Sequence, residues 1–238
     1  TGDDGIELSV NRSGKGPALL IVHGWINSSD FWYPFIKAAK EHFSCYFWNA
    51  RMHVTDKNIS IDQLARDIRA VISQLKLDEV ILMGHSMGAL TAWEYFSQFG
   101  SANISKLVII DQTPKIITDD SWYLGLYGDY DTDRNEAFEH WLNRDFASGG
   151  MHLGVSAYDL TDEQKEQMIY SDLYKSRREF VESLTPGPWI EAWRSLSRKD
   201  YRGLLKTIDV PVFLAYGKEC CYYGEKVAEY VDAETPST

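Results

Sequence analysis

The chain has 238 residues, 44% of them hydrophobic and 25% charged, enough for one large domain, or one domain with an insertion, to bury a core without a disulfide or metal staple. The formal net charge is -11 with no clustered Lys/Arg patch, which argues against phosphate-backbone recognition and against an anionic membrane surface. Three cysteines, two of them adjacent, make no disulfide framework or C-x-x-C site, the six histidines lack ligand spacing, and no apolar run approaches the roughly 18 residues of a membrane span, so no cofactor, metal or membrane span is expected.

In chain order, residues 6–10 (IELSV) alternate weakly and predict an edge strand, followed by a Ser-Gly-Lys-Gly-Pro turn. ALLIVHGW (18–25) is a continuous apolar run ending at glycine, as a strand buried on both faces requires. FWYPFIKAAK predicts a helix with Pro34 in its first turn, and CYFWNAR (45–51) another strand. Ser60-Ile-Asp-Gln63 has the S-x-x-Q form of a capping box. Behind it Ile61, Leu64, Ala65, Ile68, Val71, Ile72 and Leu75 form one apolar helical stripe. Strand 79–84, helix 86–99, strand 106–111, strand 211–217 and a helix from 225 complete the pattern.

Strands alternating with amphipathic helices predict an α/β fold, a mainly parallel sheet flanked by helices. Between Asp111 and Pro211 that alternation stops and acidic, aromatic-rich helical segments take over. The expected division is a core of residues 1–112, a helical cap over 113–205, and the second part of the core over 206–238.

The chemistry is concentrated at VILMGHSMGAL (80–90), where a strand runs into Gly84-His85-Ser86-Met87-Gly88 and then a helix. A turn this tight needs glycines beside the serine, because a Cβ there would collide with neighbouring strand and helix. It lifts the serine hydroxyl above the carboxyl end of the sheet and sets the Met87 N–H at a helix N-terminus, where partial positive charge favours an oxyanion. A chance G-x-S-x-G in a loop is the alternative, and the preceding strand and following helix weigh against it. His23-Gly24-Trp25 ends the earlier strand and would aim the Trp25 N–H toward the serine, with His23 a structural hydrogen-bonding residue.

ALLIVHGW, EVILMGHSMGAL, KLVIIDQTP and VPVFLAYGK, in that order, resemble the α/β-hydrolase family, in particular its capped esterase, lipase and non-haem peroxidase-like branch. The resemblance spans roughly residues 6 to 232 and implies Ser86 as nucleophile with Trp25 and Met87 forming the oxyanion hole. It also implies an acid in a G-x-x-D pattern after the last strand, where this chain has Gly217-Lys218-Glu219-Cys220. Asp111, ending KLVIID, stands at the alternative position for that acid and is favoured over Glu219, although an aspartate there also suits a turn. Cys220 and Cys221 read as small loop residues.

The family's base is a histidine following one more strand, and none of His23, His42, His53, His85, His140 and His152 occupies that place. The expectation is therefore that a last strand, the base and a final helix follow Thr238. The chain opens at Thr1 rather than Met, as in a trimmed sequence, and the connection after Arg51 is short for the family. The implied activity is hydrolysis of a small apolar or aromatic ester in a cytoplasmic setting, with Trp122, Tyr123, Tyr127, Tyr130, Trp141, Trp189 and Trp193 either lining a pocket or packing the cap. Two alternatives stay open: a cofactor-free dioxygenase of the same fold, and a non-catalytic ligand-binding protein.

Overall fold

The computed structural model describes residues 1–156 and 160–236. Six strands form one sheet in the order β1-β3-β2-β4-β5-β6, with only β1 (Val10–Ser13) antiparallel to its neighbour β3 (Ser44–Trp48). Strands β2 (Ala18–Val22), β4 (Val80–His85), β5 (Ile104–Ile110) and β6 (Val212–Ala215) run parallel. The edge strand lies later than the expected 6–10, because pairing with β3 begins at Val10↔Trp48 and ends at Ser13↔Cys45. Left-handed Gly14 then turns the chain where a Cβ would come 2.3 Å from the Phe43 carbonyl oxygen.

Side chains alternate across the pleat, so neighbouring positions feed different cores. Leu20, Val22, Leu82, Leu107 and Ile109 join the larger cluster, with α2 (Ile61–Leu75), α3 (Met87–Phe99) and Val227 and Val231 of α10 (Glu225–Glu234). Leu19, Ile21, Phe47 and Met83 face the other way, onto Ile36 and Ala39 of α1 (Tyr33–Ala39).

The stripe on α2 is buried from Ile61 to Ile72, whereas Leu75 is 44% exposed at the helix end. Ser60 caps α2 by accepting from the Gln63 N–H, but the Gln63 side chain donates to Asp3 instead of completing the box. Fully buried Arg51 pairs with Asp67 of α2 at 2.5 Å and with Asp4 at 2.8 Å, tying the N-terminal segment to the loop after β3.

Between β5 and β6 the described residues form six α-helices: α4 (Thr132–Arg144), α5 (Phe146–Val155), α6 (Asp162–Tyr170), α7 (Asp172–Ser183), α8 (Pro186–Ser197) and α9 (Arg202–Leu205). The acidic run from Asp162 is two helices because Ser171 adopts an extended backbone, accepts from Tyr174 N–H and donates to the Met168 carbonyl. No helix among the described residues is long and apolar enough to cross a membrane.

Candidate active site

Ser86 follows β4 with φ 53° and ψ -121°, a left-handed conformation costing a non-glycine residue on the order of 1–3 kcal/mol. Two close approaches hold it there. A Cβ on Gly84 would lie 2.3 Å from the Gly88 carbonyl oxygen, and one on Gly88 would lie 2.2 Å from the carbonyl oxygen of Val22 in β2. Hence both glycines are sterically required, one by the following helix and one by the neighbouring strand. The Ser86 N–H is anchored on the Ile110 carbonyl at 3.0 Å, and its side chain does not cap α3, so the hydroxyl is not spent on the helix.

The loop after β2 passes directly beside this turn: a Cβ on Gly24 would be 3.3 Å from Ser86 Cβ and 3.1 Å from His85 Nδ1. Among the described residues, neither the Trp25 nor the Met87 N–H takes part in the turn, loop or capping hydrogen bonds. The loop is gripped from the helical side. Trp25 Nε1 donates to the Trp189 carbonyl at 2.8 Å, and its ring packs on Phe138, Phe146 and Trp193. Arg177 of α7 donates through Nη2 to the Ile26 carbonyl, and Ile26 itself has φ 45°, unfavourable for a β-branched residue.

His23 is wholly structural. Its Nε2 accepts from the Ala50 N–H at 2.9 Å, so Nδ1 carries the proton and donates to the Gly24 carbonyl at 2.8 Å. His85 turns its ring onto Phe31, stacked at 6.2 Å, and against Trp32 at 5.7 Å. Burial pushes both imidazoles down to about 4, so both are neutral in the folded protein above that pH. Each therefore contributes stability that is present above the free imidazole's value near 6.5 and is lost as pH falls toward about 4. In that window unfolding should take up as many as two protons at these sites, a slope of up to about 3 kcal/mol per pH unit. Denaturant titrations at stepped pH measure it, and a flat profile between those limits would refute it.

Asp111 follows β5 and has φ 51°; its N–H donates to the Ala215 carbonyl at 2.8 Å. Its Oδ2 accepts from Cys220 Sγ at 3.0 Å, while Oδ1 is buried with no hydrogen-bond partner among the described residues. Burial raises the carboxyl above its ordinary value, opposed by the Cys220 bond and a looser approach of the Gly217 amide. The same contact and burial push the Cys220 thiol up to about 12, so it stays protonated and donates. Cys220 is thus a partner of Asp111 and not only a small loop residue. Its place in the acid's usual pattern was the available signal.

Ser86, Met87, Trp25 and Asp111 line one cavity of about 170 Å³. Glu219 is exposed in the turn after β6 and is not among the lining residues. None of the six histidines hydrogen-bonds Ser86; His53 binds the Asn27 carbonyl and His152 packs on Trp141. Of the seven aromatics for which lining a pocket and packing the helices were both open, Trp193 lines the cavity and the other six are not among its lining residues. Trp189 is fully buried, Trp122 packs on Tyr230, and Tyr123 is 71% exposed, while Tyr222 and Tyr223 from the turn after β6 line it instead. Arg177, which sequence patterning gave no reason to single out, also lines it.

A family model described as alpha/beta hydrolase fold matches residues 17–219. The chain is 27% identical over 215 residues to the pimeloyl-[acyl-carrier protein] methyl ester esterase of Vibrio cholerae, covering 87% of this chain and 77% of that protein. It is 27% identical over 122 residues to a non-heme haloperoxidase of Rhodococcus erythropolis, covering 49% of this chain and 44% of that one. The matched stretches span less than half the length of several such curated relatives. Among solved structures, an esterase from Exiguobacterium antarcticum superposes with a TM-score of 0.85 at 22% identity, covering 99% of this chain and 86% of that one, and so shares its fold.

Proposed function

This chain belongs to the alpha/beta hydrolase fold family, and from that premise we propose that it is a serine esterase that works through an acyl-enzyme on Ser86, beneath a cap formed by residues 113–205. One observation carries the reading: a serine hydroxyl that does not cap its helix, on a strained turn, shares a small cavity with a half-buried carboxylate whose Oδ1 is unpaired among the described residues. In this mechanism Ser86 Oγ attacks the ester carbonyl. The Met87 and Trp25 N–H groups receive the oxyanion, each such donor contributing on the order of 10²- to 10³-fold in rate. Collapse of the tetrahedral adduct expels the alcohol, and water then hydrolyses the acyl-serine.

Proton transfer calls for an imidazole between Ser86 Oγ and Asp111, with its Nδ1–H donated to Asp111 Oδ1. None of the six histidines of residues 1–238 hydrogen-bonds Ser86 or Asp111, and His85, which lines the cavity, turns its ring onto Phe31 and Trp32. The Vibrio cholerae relative, whose name denotes cleavage of a methyl ester on a carrier protein, supports ester hydrolysis as the reaction class.

The direct test is treatment of the full-length protein with a fluorophosphonate, followed by peptide mass mapping. A covalent adduct on the peptide carrying Ser86 is the expected result. Folded protein that stays unlabelled at Ser86 refutes the proposal. Oxygen uptake with a quinolone substrate, in the absence of ester turnover, would assign the site to dioxygenase chemistry instead.

A further inference from the structure

Among the described residues, one cation lines the cavity beside Ser86. Arg177 reaches it from α7, packs its guanidinium over the Phe180 ring at 5.2 Å and donates through one nitrogen to the Ile26 carbonyl. A guanidinium has five N–H donors, and that bond uses one face of the fork. No carboxylate among the described residues lies within ion-pair distance of Arg177. By contrast Arg51, Arg178, Arg194 and Arg202 each meet one, in a chain whose 35 acidic residues outnumber its 24 Lys and Arg. Asp111, the one acidic residue among the described residues lining the cavity, is bonded to Cys220 rather than to Arg177.

A partly buried cation without a counter-ion is an unfavourable arrangement unless a ligand supplies the charge. Burial does hold the Arg177 guanidinium below its ordinary value. A dianionic phosphate calls for more than one positive group, and Arg177 has no second cation beside it in the lining, since His85 is neutral. One planar fork with no second charge matches a single carboxylate. The other polar side chains of the described wall, Asn27, Ser86, Gln112, Tyr222 and Tyr223, include no second cation.

We propose that Arg177 recognises a free carboxylate on the substrate, so that the cavity selects half-esters of short dicarboxylic acids over neutral esters of the same length. The proposal rests on the esterase reading for its chemistry. Water is added across the acyl C–O bond, the alcohol leaves, and a dicarboxylate is released, with the carboxylate bound by Arg177 unchanged throughout. A charge-assisted pair of this kind corresponds to roughly ten- to hundredfold in binding.

The test compares monoethyl glutarate with ethyl pentanoate, which differ in a terminal carboxylate against a methyl group, using the full-length enzyme. The wild-type kcat/KM ratio should favour the half-ester by about tenfold or more. In Arg177→Gln that ratio should fall roughly ten- to hundredfold, and Arg177→Lys should recover part of it. A wild-type enzyme that prefers the neutral ester overturns the proposal without any variant. Equal losses on both esters in Arg177→Gln also overturn it, because they assign Arg177 to holding the Ile26 loop.

A second measurement separates this failure from failure of the esterase reading. Calorimetric binding of monoethyl glutarate to Ser86→Ala protein, weakened when Arg177→Gln is added, supports the carboxylate site even if no ester is turned over. Absence of binding, or binding indifferent to Arg177, removes it even if Ser86 is labelled by fluorophosphonate.

Discussion

Ser86→Ala is expected to lower kcat/KM for simple p-nitrophenyl esters by about 10⁶-fold in the full-length protein, leaving only what the oxyanion donors and binding supply. The change deletes one oxygen atom. Ser86 makes no helix-capping bond through its side chain, so no structural hydrogen bond is lost with it. The backbone strain at φ 53° is imposed by Gly84, Gly88 and their neighbours and is carried by alanine as well. Thermal stability should therefore change little while turnover disappears. Esterase rates measured beside melting curves distinguish this from misfolding. A variant that folds and retains a tenth of the activity would place the nucleophile elsewhere.

The second large effect should come from Asp111→Asn, which is expected to cost about 10⁴-fold in rate because an amide cannot stabilise an imidazolium or hold its correct tautomer. The same substitution should stabilise the fold at neutral pH. The folded-state value of Asp111 is raised, so its stability contribution is full below the ordinary carboxylate range and is lost as pH rises through the raised value. An asparagine is never charged, still offers an oxygen to Cys220, and tolerates the left-handed conformation at φ 51°. The melting temperature should rise by a few degrees at pH 7, and the advantage should vanish at pH 3. A destabilised variant at neutral pH would contradict the burial of a charge at this position.

The parallel sheet was legible because its strands are buried on both faces and read as unbroken apolar runs, most plainly in ALLIV and VILM. The turn around Ser86 was legible for a different reason: Gly84 answers a steric demand that acts within the motif, and Gly88 one from the end of β2, at Val22 and His23. Other features depend on contacts between segments distant in sequence. Cys220 meets Asp111 across 109 residues, and Arg177 meets Ile26 across 151. No periodicity records such meetings. The cap aromatics were ambiguous because an aromatic ring that lines a cavity and one that fills a core have the same sequence pattern. The edge strand was displaced because a short polar stretch takes its register from β3 rather than from its own alternation.

The contact between Gly88 and the carbonyl of Val22 has a consequence for how such a protein can change over time. It sets the spacing of α3 from β2, and β2 is the strand that leads to Trp25. The proposed nucleophile and oxyanion donor are thus spaced in part by the sheet itself, while the helices hold the Trp25 loop from above. The helices touch that loop through few points, the Trp189 carbonyl and Arg177 among them. Substitutions elsewhere in α4 to α8 can therefore reshape what enters the cavity without recalibrating the reacting atoms. New substrate preference is then an inexpensive mutational step, whereas altering Gly88 would disturb every substrate at once.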